Sequence, residues 1–147
     1  MYPTSEDEQA IYRLILTYPD RMDAGDFAGA ARVFARCHTH SPAGSFRSED
    51  EMREAFEDWV VLFDDGTPRT KHVMTNIAIN LAPDGASADA WTYFTVLQAT
   101  DGFPLQIIIA GRYHDRFTKD DDGWYFTERE ELLDLHGDLS RHLKQTI

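Results

Sequence analysis

Apolar positions recur at helical spacing over the first third of the chain and at alternating spacing over the rest. Ser5 with Glu8 has the form of a capping box, and behind it Ile11, Leu14, Ile15, Tyr18 and Met22 make one helical stripe. Pro19 removes an N–H donor and predicts a kink in the last turn, and Gly25 ends the helix. Asp26 reads as the N-cap of a second, short helix through about Phe34. Ser48 with Glu51 opens a third helix carrying Met52, Phe56, Trp59, Val60 and Phe63. Strand-like runs follow over 71–81, 86–99, 104–118 and 124–133, with a short one around 39–46. Pro83-Asp84-Gly85, Asp101-Gly102 and Asp120–Gly123 separate them as turns. The tail from Asp138 reads as a short helix or a frayed end. Helices followed by an antiparallel meander predict one α+β domain over 1–147. A strongly bent sheet wrapped around the N-terminal helices would form a cone, with an apolar pocket between its concave face and those helices.

Composition narrows this picture. The 147 residues are 42% hydrophobic and 27% charged, which suits one globular core. Fourteen Lys and Arg against 26 Asp and Glu leave a net charge of −12, which repels nucleic acid and anionic membrane surfaces. The single cysteine, Cys37, makes no intrachain disulfide or zinc ribbon. The longest apolar run, Ile107–Ala110, is too short to span a bilayer, and the acidic start Met1–Glu8 lacks an apolar signal segment. The expectation is a soluble cytoplasmic protein.

The residues that could carry chemistry each have a plain alternative. Asp23, at a helix C-terminus, reads alone as a solvated carboxylate, although its charge opposes the helix dipole and calls for a partner. Tyr18 lies on the apolar stripe and reads as core. His72 opens the first long strand, and alternation puts Met74 and Asn76 on its face, a mixture that suits a pocket wall. Arg129, among acidic neighbours on the last strand, reads alone as half of a cross-strand ion pair on a solvated face. Cys37-His38-Thr39-His40 offers two imidazoles without a third ligand, and the acidic turn lacks calcium-loop spacing, so no metal is expected. Neither a Gly-rich phosphate loop nor a Gly-x-Ser-x-Gly elbow is present, so no nucleotide cofactor is expected.

Four segments together resemble the SnoaL-like branch of the nuclear-transport-factor-2-like (NTF2-like, cystatin-like) superfamily. They are Ile15–Phe27, Thr70-Lys71-His72, Ile107–Tyr113 and Asp122–Phe126. The resemblance implies the cone-shaped α+β fold over nearly the whole chain. Scytalone dehydratase, hexachlorocyclohexane dehydrochlorinase and bile acid 7α-dehydratase in this branch use a His–Asp dyad inside the cone. By resemblance, the Asp falls at Asp23 and the His at His72, and the polar residue and the arginine that the dehydrochlorinase and the bile acid enzyme also have fall at Tyr18 and Arg129. There are departures. Phe94–Gln98 lacks scytalone dehydratase's second pocket histidine, and Tyr18 stands where the dehydrochlorinase has lysine.

The resemblance implies a cofactor-independent lyase of the dehydratase type. His72 would take a proton, Asp23 would orient the imidazole, Tyr18 would bind a leaving or enolate oxygen, and Arg129 would anchor a carbonyl or carboxylate. Met22, Phe34, Phe56, Trp59, Met74, Asn76, Trp91, Ile107, Ile109 and Tyr113 are the expected pocket walls, which suit a small, mostly apolar cyclic molecule. The same dyad would serve a ketosteroid-isomerase-like or polyketide-cyclase-like reaction, and other cones only bind ligands or build oligomers. By parity, Ile77, Ile79 and Leu81 face away from His72. The expected outcome is a homo-oligomer, a trimer by resemblance to the dyad enzymes, with a dimer as the alternative.

Overall fold

The structure is a computed structural model that describes residues 5–147; Met1–Thr4, the first half of the expected acidic start, lie outside the described residues. Helix α1 (Glu6–Asp23) begins where predicted, because the Ser5 hydroxyl accepts the Glu8 N–H at 3.1 Å. It runs through the buried Pro19 and delivers Asp23 at its last turn. Gly25 (φ 77°) then turns the chain so tightly that a side chain there would collide with the Gly66 carbonyl. Asp26 caps α2 (Phe27–Arg32) through the Gly29 N–H at 2.9 Å. The short predicted strand is a hairpin, β1 (His38–Ser41) and β2 (Gly44–Phe46). Ser48 caps α3 (Glu49–Trp59), which stops before Val60 and Phe63.

The meander follows as β3 (Thr70–Leu81), β4 (Ser87–Thr100), β5 (Phe103–Asp120) and β6 (Gly123–His136). Six strands form one open, curved sheet in the order β2-β1-β6-β5-β4-β3. The sheet is mixed, because β1 lies parallel to β6 while the other pairs are antiparallel. No hairpin joins β1 to β6, so turn geometry does not force their relative direction.

Two bulges overturn the parity read along the strands. Register shifts between Thr75 and Ala78, where Asn76 takes a left-handed φ of 52°. Asn76 is therefore exposed outside the pocket, while Ile77 and Ile79 turn inward onto the core. A second shift opposite Val96 and Leu97 leaves Ile108 unpaired. Ile108 and Ile109 are both buried as a result, and Ile107, expected in the pocket, is 58% exposed on the outer side.

The core has three parts. One packs Ile11, Ile15, Phe34, Phe117 and Phe126; a second packs Phe94, Val96, Ile109 and Tyr113; a third packs Met22, Phe27 and Val60. Tyr18 touches all three.

Candidate active site

Helix α1 and strand β3 meet at Asp23 and His72. His72 Nδ1 lies 2.6 Å from one Asp23 carboxylate oxygen, and Thr70 Oγ1 donates to that oxygen at 2.8 Å. The other oxygen accepts the backbone N–H of His72 at 2.8 Å. The start of β3 thus grips the carboxylate through three groups, the Thr70 hydroxyl and the His72 backbone N–H and ring Nδ1, and the helix end holds it in place. Burial pushes the Asp23 carboxyl up, but hydrogen bonds and charge from His72, with help from Thr70, outweigh it and hold the group below its ordinary value. An ionised Asp23 fixes the Nδ1–H tautomer, so His72 keeps its Nε2 lone pair free.

A cavity of about 140 Å³ opens beside this pair. Of the predicted wall residues, Met22, Phe56, Trp59, Ile109 and Tyr113 line it, together with Tyr18 and His72. Tyr18 stands edge-on to His72, with ring centroids 5.8 Å apart. Burial raises the phenol pKa of Tyr18 well above its ordinary value, so the group remains an O–H donor.

Other predicted residues lie elsewhere. Phe34 is buried below the floor, edge-on to Tyr18. Met74 packs behind Phe94 and Tyr113. Trp91 is on the outer face, because Thr92 and Phe94 are the inward residues of β4; it stacks flat on His114 at 4.2 Å. Arg129 is buried, yet it does not line the cavity. It makes a two-pronged ion pair with Asp115 across β5 and β6, at 2.7 and 2.9 Å. Its guanidinium lies over the Tyr113 ring, 3.8 Å from the centroid. The expected role as a substrate anchor is replaced by that of a prop beneath the aromatic floor, since its fork is already taken up by Asp115.

Two polar residues of the cavity escaped the sequence reading. Glu131 shares its strand face with Arg129 along β6, but it lines the cavity and has no hydrogen bond or ion pair among the described residues. Burial raises its carboxyl pKa against the opposing pull of Arg129 and His72. Its inward parity, shared with Arg129, was the signal that could have found it. His142 arrives from the tail, which is a docked segment rather than a frayed end or helix. Val61 N–H donates to the His142 carbonyl at 2.8 Å, and Lys144 N–H donates to the Trp59 carbonyl at 2.8 Å. The tail also brings Leu139, Leu143 and Ile147 to the cavity. Nothing local in a polar tail announces such docking.

No helix is long and apolar enough to cross a membrane, and no three His, Cys, Asp or Glu side chains gather for a metal among the described residues.

Comparisons with known proteins agree with this architecture. Residues 3–130 match the profile of the SnoaL-like domain family. No curated protein sequence matches the chain. A structure from Novosphingobium aromaticivorans, provisionally named a scytalone dehydratase, is 24% identical with a TM-score of 0.70, over 88% of this chain and 85% of that one. A cystatin-like protein of unknown function from Nostoc punctiforme is 20% identical with a TM-score of 0.73, over 91% of this chain and 96% of its own. ActVI-ORFA from Streptomyces coelicolor is 23% identical with a TM-score of 0.69, over 86% and 96%. At these identities the structural likenesses establish the fold, which is the cystatin-like, NTF2-like one.

Proposed function

The chain belongs to the SnoaL-like domain family, and from that premise we propose that it is a cofactor-independent lyase eliminating water from a small cyclic β-hydroxy carbonyl compound. The observation that carries this reading is the 2.6 Å contact between Asp23 and His72 Nδ1 beside a largely apolar cavity. His72 Nε2 removes the proton α to the carbonyl, and Asp23 stabilises the imidazolium that forms. Tyr18 donates to the enolate oxygen. Glu131, kept protonated to higher pH than an ordinary carboxyl, gives its proton to the departing hydroxyl, which leaves as water. Proton return from His72 to Glu131 resets the site. Arg129 acts at a distance by holding Tyr113.

The same donors and base would isomerise a carbonyl compound that has no β-leaving group. Raised pKa values at both Tyr18 and Tyr113 favour keeping this second reading, since both phenols remain donors to an enolate. Val73, Tyr93, Leu105 and Ile107 stand exposed on the outward side of the sheet and support self-association as a homo-oligomer.

Incubation with 3-hydroxycyclohexanone, followed by enone absorbance, tests the elimination. Turnover should fall about 10³–10⁴-fold in His72→Ala, at or near the upper range for a positioned base, and by a comparable factor in Asp23→Asn. Equal turnover by the variants and the unmodified protein sinks the dyad mechanism. Double-bond migration in cyclohex-3-enone without dehydration selects the isomerase reading.

A further inference from the structure

The docked tail inserts one polar side chain whose hydrogen bonding is unfinished. His142 is only 7% exposed, and its Nδ1 is buried without a partner among the described residues. Its ring stands 6.3 Å from that of His72, at 67°. The backbone on both sides is pinned, so the ring is held in place by design of the chain and not by chance. The His142 N–H donates to the Leu139 carbonyl at 3.0 Å, Val60 bridges Leu143, and Gln98 Nε2 reaches the Arg141 carbonyl at 3.1 Å. Gln98 is itself buried and clasps the Pro68 carbonyl as well, which ties the tail to the loop that precedes His72.

A buried polar atom without a partner is unfavourable, and native chains retain few of them. His142 lines the ligand-sized cavity, and its unpartnered ring nitrogen leaves it hydrogen-bonding capacity that a ligand would use. Burial lowers the imidazole pKa to about 4, so the ring is neutral at ordinary pH and offers one donor and one acceptor. A neutral hydroxyl, itself donor and acceptor, or a carbonyl oxygen, is its natural complement. A carboxylate is not, because a neutral ring offers no charge to offset the cost of burying an anion. Size limits the occupant further. A cavity of about 140 Å³ is close to the roughly 150 Å³ that holds benzene elsewhere. That volume matches a single six-membered ring more closely than a fused-ring skeleton.

We propose that His142 is a substrate-binding residue, which holds a hydroxyl or carbonyl oxygen of a single six-membered-ring ligand across the cavity from His72. This assignment rests on the cavity being the ligand site of the elimination reading, but it needs no turnover to be tested. Titration calorimetry with phenol and with toluene, on the unmodified protein and on His142→Phe and His142→Asn, reads it directly. The ring nitrogens of ¹⁵N-histidine-labelled protein give a second readout.

Phenol should bind more tightly than toluene to the unmodified protein and shift the His142 ring nitrogens. His142→Phe, which keeps a ring in place, should weaken phenol about tenfold and leave toluene unchanged or tighter. His142→Asn, whose amide carries both donors and an acceptor, should recover part of the loss. Parallel loss of both ligands in His142→Phe reduces His142 to packing and overturns the proposal. So does an unmoved His142 nitrogen signal, or a failure of phenol to bind at all. Phenol discrimination in a protein that does not dehydrate 3-hydroxycyclohexanone would uphold this assignment while the elimination reading fell.

Discussion

Asp23–His72 and Asp115–Arg129 are built from similar material. Each is a buried carboxylate paired with a nitrogen base, each joins distant segments, and the two flank the same aromatic floor of Tyr18 and Tyr113. Their side chains are almost equally hidden: 4% and 15% exposed for His72 and Asp23, 3% and 0% for Arg129 and Asp115. They differ in what is left over. Nδ1 of His72 is spent on Asp23, and Nε2 is free beside the cavity. Arg129 spends its fork on Asp115, and its guanidinium is surrounded by the rings of Tyr113, Phe34 and Phe126. Burial of charge therefore does not separate the pair proposed as reactive from the other; unspent hydrogen-bonding capacity facing a cavity does.

Arg129→Leu offers the hardest test of that distinction. The variant leaves Asp115 charged and alone in the core and should lose about 3–5 kcal/mol of stability, read by urea unfolding. Adding Asp115→Leu should restore most of it, since two apolar side chains of suitable size replace the pair. An Arg129→Leu protein that keeps its stability but loses turnover would make Arg129 part of the chemistry and erase the contrast.

The next effect is set by pH. The His142 pKa of about 4 lies below the ordinary 6.5, so the unfolded chain binds the extra proton first. The contribution of this group is complete above pH 6.5, and about 3 kcal/mol of it should be lost as pH falls towards 4. His72 opposes the charged ring and Asp23 favours it. The lowered pKa of Asp23 adds its own loss only at still lower pH. His142→Phe should flatten the first slope and leave the second, in urea unfolding repeated across this range.

Glu131→Gln gives the smallest expected change. It removes an acid with no partner among the described residues, so stability should hold or rise, while turnover of 3-hydroxycyclohexanone falls about 10–100-fold, or about 1–3 kcal/mol of barrier. Unchanged turnover would return the proton-donor role to Tyr18.

Much of the scaffold was legible along the chain. Ser5, Asp26 and Ser48 cap the helices they were expected to cap, because capping depends on residues within one turn. Asp101-Gly102 and Asp122-Gly123 bring consecutive strands together for the same local reason. The approach of Asp23 to His72 was read only through family resemblance, since 49 residues separate them. Pocket membership was read less well. Helical periodicity carried Met22 and Phe56 to the cavity and strand parity carried Ile109, but parity failed at Asn76 and Ile107, where a bulge inserts one unpaired residue and reverses the side chains beyond it.

Periodicity, caps and turns alone determined that this chain makes three helices and a meander, because those signals are settled by neighbours a few residues apart. Composition alone determined an acidic protein without disulfides. Only the tertiary structure decided that Arg129 is sealed against Asp115, that Glu131 faces the cavity unpaired, and that a polar tail returns to carry His142 beside His72. Each of these depends on which distant groups remain unsatisfied once the sheet has curved, and that balance is struck between segments that no local pattern connects.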